Sequence, residues 1–193
     1  MKYLLTVALA FATLLNAQDG ELPGWGVYVG GGLGSASFED SAVEPGAELA
    51  LPFIGVSKGL MLGVPLLINV GLGKRAFNQH LDFGGYEMDY TYVWDYLDIG
   101  IATPLAVGPG VAQVGALYGL PMGGKATIDM DGNETEVDVE ADDMDADYGL
   151  MVAYSYPVTE SISVNTGYYI GLFDHGDGGP TFNGLFALLS YNF

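Results

Sequence analysis

The sequence predicts an all-β protein, an eight-stranded antiparallel up-and-down transmembrane β-barrel, and three observations support this fold class. Apolar residues recur at every second position in eight segments, which is the period of a β-strand. Connections between the segments alternate between polar and short, as in a barrel with short turns at one rim and longer loops at the other. Residues 59–73 and 99–124 contain no charged side chain, so neither face of those strands could form the exterior of a soluble protein.

The first four predicted strands cover residues 25–34, 47–57, 62–73 and 88–102. The first begins at Trp25 and carries glycine at most of its alternate positions. An irregularity is expected in the second strand near Pro52, because proline cannot donate a hydrogen bond to a ladder. The third is the clearest, with an unbroken apolar row from Leu62 to Leu72 at every second position. A tight turn is predicted at residues 57–59, and polar loops at 38–48 and 74–87.

The last four predicted strands cover residues 112–122, 148–156, 162–172 and 181–193. The closing strand sets Leu189, Tyr191 and Phe193 on one face, so an aromatic residue ends the chain. A proline and glycine turn is predicted at 103–110, a short turn at 157–160, and polar segments at 125–147 and 174–180. Aromatic residues gather near the strand ends, which predicts two belts at the level of the lipid headgroups.

The inward-facing row is predicted to consist mainly of small and polar residues, with Gln113, Met151 and Tyr169 among them. Asp98 is also expected to point inward, and Asp95 has the opposite parity unless a bulge intervenes. With eight strands, side chains fill the interior of a barrel, so a wide aqueous pore is not expected.

Residues 1–17 are predicted to be a secretory signal peptide, with one positive charge at Lys2, an uncharged apolar stretch, and the small residue Ala17 before the cleavage site. The apolar stretch is too short to cross a bilayer as a helix. The predicted organisation is therefore a signal peptide at 1–17, a short N-terminal segment at 18–24 and a barrel at 25–193. The chain has no cysteine, which excludes disulfide bonds and a lipid-modified cysteine.

The charge balance is strongly acidic. Without residues 1–17 the chain keeps four of its five Lys and Arg residues against 24 carboxylates, so its formal charge is 4 minus 24, or −20. Nucleic acid is not an expected partner, because phosphate binding needs clustered cations.

The resemblance to a known family rests on three stretches. These are DYLDIGIATPLAVGPGVAQVGALYGLPMGGK at 95–125, YYIGLFD at 168–174 and FALLSYNF at 186–193. Together they resemble the bacterial outer-membrane β-barrel domain family often labelled porin-like, which includes small eight-stranded OmpA/OmpX-type barrels. The resemblance implies the bacterial outer membrane as the location and outer-membrane lipids as partners, and a monomer is expected. Its motifs specify architecture and not chemistry.

The acidic segment is the strongest candidate for a binding site. Asp129, Asp131, Asn133 and Glu140 lie at positions one, three, five and twelve of a calcium-loop spacing. Position six is Glu134 where that loop needs glycine, and strands flank it in place of helices. A solvated hairpin that turns at residues 131–132 explains the same residues. We therefore predict no resident cofactor, and at most weak, loosely bound Ca²⁺ or Mg²⁺.

Catalytic residues are not predicted. The two histidines, His80 and His175, lie in polar segments with aspartates nearby. Some outer-membrane barrels are lipid A deacylases or proteases, but Asp177 occupies the position where the deacylase pattern expects serine. The sequence therefore predicts a non-enzymatic barrel with a structural or surface-interaction role, whose acidic extracellular loops meet divalent cations or a basic partner. The alternative is a narrow channel or transporter for a small or apolar solute.

Overall fold

The computed structural model describes residues 24–38, 44–82, 87–130, 132–175 and 179–193. The predicted signal peptide lies outside these residues, as does the predicted segment 18–24 apart from Gly24. Both remain predictions. No helix in the described part of the chain has the length and apolarity that a membrane-crossing helix needs.

The described residues form nine strands and one helical turn. The strands are β1 (Trp25–Ser37), β2 (Glu44–Met61), β3 (Pro65–Asp82), β4 (Glu87–Val107), β5 (Gly110–Met130), β6 (Asn133–Val139), β7 (Asp147–Pro157), β8 (Ile162–Gly171) and β9 (Thr181–Asn192). A single 3-10 turn, Ala141–Asp143, lies between β6 and β7.

Eight of these strands close into a ring. Each pairs antiparallel with its neighbours in the order β4-β3-β2-β1-β9-β8-β7-β5, and β4 pairs with β5 to complete the circle. The β1–β9 pairing runs without a break from Gly26 opposite Asn192 to Ser37 opposite Thr181. β6 stands outside the ring. In the described part of the chain it pairs only with residues 124–130 of β5. The predicted eight-stranded antiparallel barrel is therefore confirmed.

Side chains alternate between an apolar outer face and a lumen of smaller and polar residues. On β7, for example, Leu150 and Val152 are 47% and 50% exposed, whereas Met151 and Ala153 are 8% and 5% exposed. A soluble barrel has the opposite arrangement, with its apolar row inside. A closed ring satisfies the backbone hydrogen bonds internally, which is what a bilayer requires of the strands that cross it.

The predicted polar loop at 74–87 is wrong, because β3 continues to Asp82 and pairs with β4 from Glu87. The apolar row ends near Lys74 because the strands leave the lipid there, and an extended strand in water needs no apolar face. β5 likewise extends to Met130, beyond the predicted end at residue 122.

Two predicted turns are also misplaced. Residues 57–59 lie within β2, where Ser57 pairs with Asn69, and the turn follows at 62–64 with Gly63 at φ 77°. The predicted turn at 103–110 shrinks to residues 108–109, with Gly108 at φ 58°. Both turn predictions rest on turn-forming residues alone. Local sequence does not show the cross-strand partners that determine where a strand ends.

Two local predictions are confirmed. The β2–β3 register shifts between Ala47 and Ile54, on either side of Pro52. At the acidic hairpin, Met130 of β5 pairs with Asn133 of β6, so the predicted hairpin is present, and its residue 131 lies outside the described residues. Gly132 has φ 82°, a conformation that glycine adopts without strain.

Candidate functional site

A buried charged cluster crosses the lumen, centred on Arg75 of β3. Arg75 is 7% exposed. Its Nε donates to Oδ2 of Asp147 on β7 at 2.7 Å, and its two Nη atoms donate to the oxygens of Asp98 on β4 at 2.8 and 3.2 Å. Because β3 and β7 lie on different sides of the ring, these bonds tie one wall of the barrel to the other.

Two tyrosines enclose this cluster. The Tyr169 hydroxyl donates to Oδ2 of Asp147 at 2.8 Å. The Arg75 guanidinium lies 4.8 Å from the Tyr169 ring centre and 5.1 Å from that of Tyr96. Paired carboxylates and aromatic faces are the surroundings that make a buried guanidinium tolerable.

The outer side of the cluster contains buried polar atoms without hydrogen bonds. These are Oδ1 of Asp147, Nε1 of Trp94 and both ring nitrogens of His175. The Nε2 atom of His175 lies 3.8 Å from Oδ1 of Asp147, within ion-pair range but too far for a hydrogen bond. Two carboxylates, Asp98 and Asp147, therefore share the single guanidinium of Arg75.

An aromatic cluster covers the charged residues toward the acidic rim. Phe77 and Phe182 are 2% and 1% exposed, and their ring centres are 5.8 Å apart. The Trp94 ring meets Phe182 edge-on at 5.3 Å, and Tyr92 stacks on Phe77 at 4.7 Å. Together with the charged cluster, these rings occupy the outer half of the lumen.

A cavity of about 180 Å³ occupies the lumen on the other side of the Arg75 cluster. Arg75 and Asp98 contribute to its inner end, and Ser57, Ser155 and Asn192 line it near the short-turn rim. This arrangement is suited to binding a small molecule in the cavity or to blocking passage through the lumen. Neither histidine hydrogen-bonds a serine or threonine hydroxyl in the described residues, so no nucleophile–base pair is assembled there.

Sequence reasoning identified only part of this site. Asp98 faces inward as predicted, and Asp95 faces outward, where it pairs with Lys74. The sequence does not predict an inward Arg75, because the polar residues around it predict a loop at 74–87. Continuing the alternation of Gly71 and Gly73 by two more positions would have placed Arg75 inside the lumen.

The sequence does not predict the contact between Asp147 and His175. Asp147 ends the predicted polar segment 125–147, and His175 lies in the predicted polar segment 174–180, near Asp174 and Asp177. In the structure Asp174 bonds Thr181, and residue 177 lies outside the described part of the chain. His175 faces Asp147, which lies 28 positions earlier, and no local pattern signals such a contact.

The predicted cation-binding residues are spread along the hairpin. Asp129 accepts a hydrogen bond from the Gly132 backbone at 2.8 Å, and Asn133 donates to the Met130 carbonyl at 3.4 Å. Glu140 follows β6 at the other end of the hairpin, roughly 20 Å from its tip. Asp131 lies outside the described residues, and among those described no group of three metal-binding side chains occurs. Weak cation binding by this hairpin stays a prediction.

His80 lies on the part of β3 that projects beyond the membrane. It is exposed, and its Nδ1 lies 2.7 Å from Oδ1 of Asp89 on β4. The hydrogen bond with Asp89 raises the pKa of His80, and the negative charges of Glu87 and Asp82 add to the effect.

The family comparison agrees with this architecture. The model of a family described as "Outer membrane protein beta-barrel domain" matches residues 4–193. No curated protein sequence matches the chain significantly.

Among solved structures, Neisserial surface protein A is similar with a TM-score of 0.52 and 14% identity, over 88% of this chain and 97% of that one. At this identity the likeness shows the fold alone. Ail, the attachment invasion locus protein of Yersinia pestis, has a TM-score of 0.45 and 11% identity over 89% and 100% of the two chains. OprG of Pseudomonas aeruginosa has a TM-score of 0.39 and 9% identity over 89% and 97%. These last two scores are too low to support an argument.

Proposed function

This chain belongs to the outer membrane protein β-barrel domain family of bacteria, and from that premise we propose that it is a non-enzymatic barrel that presents an acidic surface to a basic partner. The observation that carries the proposal is the projecting sheet, which comprises the outer parts of β3, β4 and β5 together with β6. β5 continues from Gly119, its last pair with β7, to Met130. Those eleven further residues extend roughly 36 Å along the strand.

The projecting sheet carries far more negative than positive charge. On residues 76–82, 87–93, 124–130 and 133–139 of this sheet, Lys125 is the one Lys or Arg residue, and it pairs with Glu136 at 2.5 Å. Its carboxylates are Asp82, Glu87, Asp89, Asp129, Glu134, Glu136 and Asp138. Such a surface attracts cations and basic segments over a distance of about 10 Å at 0.1 M salt.

β6 is the free edge of this sheet. It has β5 as its only strand partner in the described residues, and Asn133 to Asp138 are all exposed. Glu134, Glu136 and Asp138 alternate along one face. An extended segment with lysine at every second position could pair with the edge and oppose these carboxylates.

The test measures binding of a synthetic peptide of alternating lysine and threonine to the barrel in lipid nanodiscs. We expect saturable binding that weakens as salt rises and is lost in the variant Glu134→Gln, Glu136→Gln, Asp138→Asn. The control variant Asp142→Asn, Asp143→Asn changes carboxylates on the 3-10 turn and should bind normally. Equal binding by both variants, or no binding by the native protein, would contradict this proposed function.

A second candidate function, passage of a small solute, is favoured by the lumen cavity. It requires the Arg75 cluster to move, because that cluster joins opposite walls. Planar-bilayer recordings distinguish the two candidates: stepwise currents from the native protein support passage, and a silent barrel with intact peptide binding supports the surface role.

A further inference from the structure

We infer that the lumen cavity is a binding pocket for a compact, uncharged ring compound that carries one amide or hydroxyl group, entered from the short-turn rim. The inference goes beyond the surface role, which depends on the opposite end of the barrel. It rests on the cavity's size, on the chemistry of its wall and on the charged cluster at its inner end.

The size admits one small ring. The cavity measures about 180 Å³, and an apolar cavity of about 150 Å³ in another protein holds benzene. Two glycines make room for one side chain of the cavity wall, Tyr28. A Cβ at Gly55 would lie 2.3 Å from the Tyr28 hydroxyl oxygen, and one at Gly71 would lie 2.4 Å from it. The Tyr28 ring can therefore lie against these strands and provide a flat wall.

The wall combines aromatic faces with buried neutral polar groups. Phe53 and Phe186 line the cavity together with Tyr28. Ser163 and Asn165 are each 8% exposed and also line it. Asn165 donates to Oγ of Ser190 at 2.7 Å, which fixes the amide plane. An amide has two N–H donors and an acceptor oxygen, so Asn165 keeps capacity for a ligand. A few oriented polar groups in an otherwise apolar wall are typical of small-molecule sites.

The charges of the inner end select against anions. The Arg75 guanidinium is already occupied by Asp98 and Asp147. The cluster thus holds two carboxylates and one guanidinium. A carboxylate entering the cavity would approach this excess of carboxylates in a medium of low dielectric constant, where repulsion is strong. An uncharged amide of the same shape meets no such repulsion.

Fluorine NMR of 4-fluorobenzamide with the barrel in nanodiscs tests the pocket, and 4-fluorobenzoate is the matched charged compound. We expect saturable binding of the amide and at least tenfold weaker binding of the benzoate. Asn165→Leu should weaken amide binding by about tenfold, and Ala153→Met, which fills the cavity, should abolish it. Thr166→Leu changes the next residue on the lipid face and should have no effect.

A chemical readout separates loss of the pocket from loss of the fold. The chain has no cysteine, so Ser163→Cys introduces a single thiol at the cavity wall. A water-soluble thiol reagent should modify it, and 4-fluorobenzamide should slow the reaction severalfold. Heat-dependent electrophoretic migration verifies the closed barrel in each variant. Non-saturable signals that are equal for both compounds, or an unprotected thiol, would overturn the inference. Loss of peptide binding at the acidic rim would contradict the proposed surface role but not this inference.

Discussion

The Nε atom of Arg75 lies 2.7 Å from Oδ2 of Asp147 across the lumen, and both side chains are buried. This contact joins β3 to β7, two strands that share no ladder. Three further hydrogen bonds involve Asp98 or Tyr169, two from Arg75 to Asp98 and one from Tyr169 to Asp147, so the charges form one network. The barrel is therefore held together both around its circumference and across its interior.

Arg75→Ala should lower the free energy of unfolding by about 3–5 kcal/mol, because it leaves Asp98 and Asp147 buried without a cation. Urea titration in lipid vesicles measures this change. Lys74→Ala is the matched control: Lys74 is the next residue, and its outward pair with Asp95 is partly exposed. The control should change stability by less than about 1 kcal/mol. Similar losses in both variants would contradict the central role of the buried network.

Val152→Lys should destabilise the barrel by about 2–4 kcal/mol in a bilayer, because an ammonium group would enter the hydrocarbon. Val152 lies near the middle of β7 and is 50% exposed on the outer face. Met151→Lys places the same charge one residue away, on the wall of the polar lumen cavity and not in the hydrocarbon, and should cost less. Unfolding in vesicles measures both. A larger loss for the lumen variant would mean that the two faces had been assigned the wrong way round.

Gly30→Ala should weaken the seam between the first and last strands. A Cβ at Gly30 would lie 2.1 Å from the Ala187 backbone oxygen, so the backbone must shift at a cost of about 1–3 kcal/mol. Gly100→Ala is the comparison, because the nearest atom to its Cβ would be the end of the flexible Leu117 side chain at 3.2 Å. The temperature at which the folded band disappears in electrophoresis measures both variants. We expect Gly30→Ala to unfold first.

Asp89→Asn should lower the pKa of His80 toward its ordinary value, because the hydrogen bond that the protonated His80 ring donates to the Asp89 carboxylate raises it. NMR titration of the His80 ring measures the change, and Asp95→Asn, on the outer wall, should leave it unaltered. Because the His80 pKa is raised in the folded protein, the His80–Asp89 pair stabilises the fold fully below about pH 6.5, the ordinary pKa of histidine. That contribution is lost as pH rises through the pKa of the folded protein. An unshifted His80 titration in Asp89→Asn would exclude the pair.

The period of two predicted the ring, its eight strands and the face of each residue within the lipid, because the bilayer imposes a continuous apolar row. The same signal fails beyond Lys74. From there the strands continue in water, and their polar residues look like loop residues. The charged cluster was missed for a related reason. Asp98 could be placed by parity alone, whereas the Arg75 partners lie 23 and 72 positions away and depend on how the ring closes.

The seam between β1 and β9 joins residues from the two ends of the barrel. Trp25 and Phe193 exchange backbone hydrogen bonds, Trp25 N to Phe193 O at 3.2 Å and Phe193 N to Trp25 O at 2.8 Å. Every other ladder in the ring can form from a nearby connection along the chain, but this one needs both β1 and β9, which lie far apart in the sequence. Until β9 is available, a folding intermediate has two unpaired strand edges, and protection by a chaperone matters most in that interval.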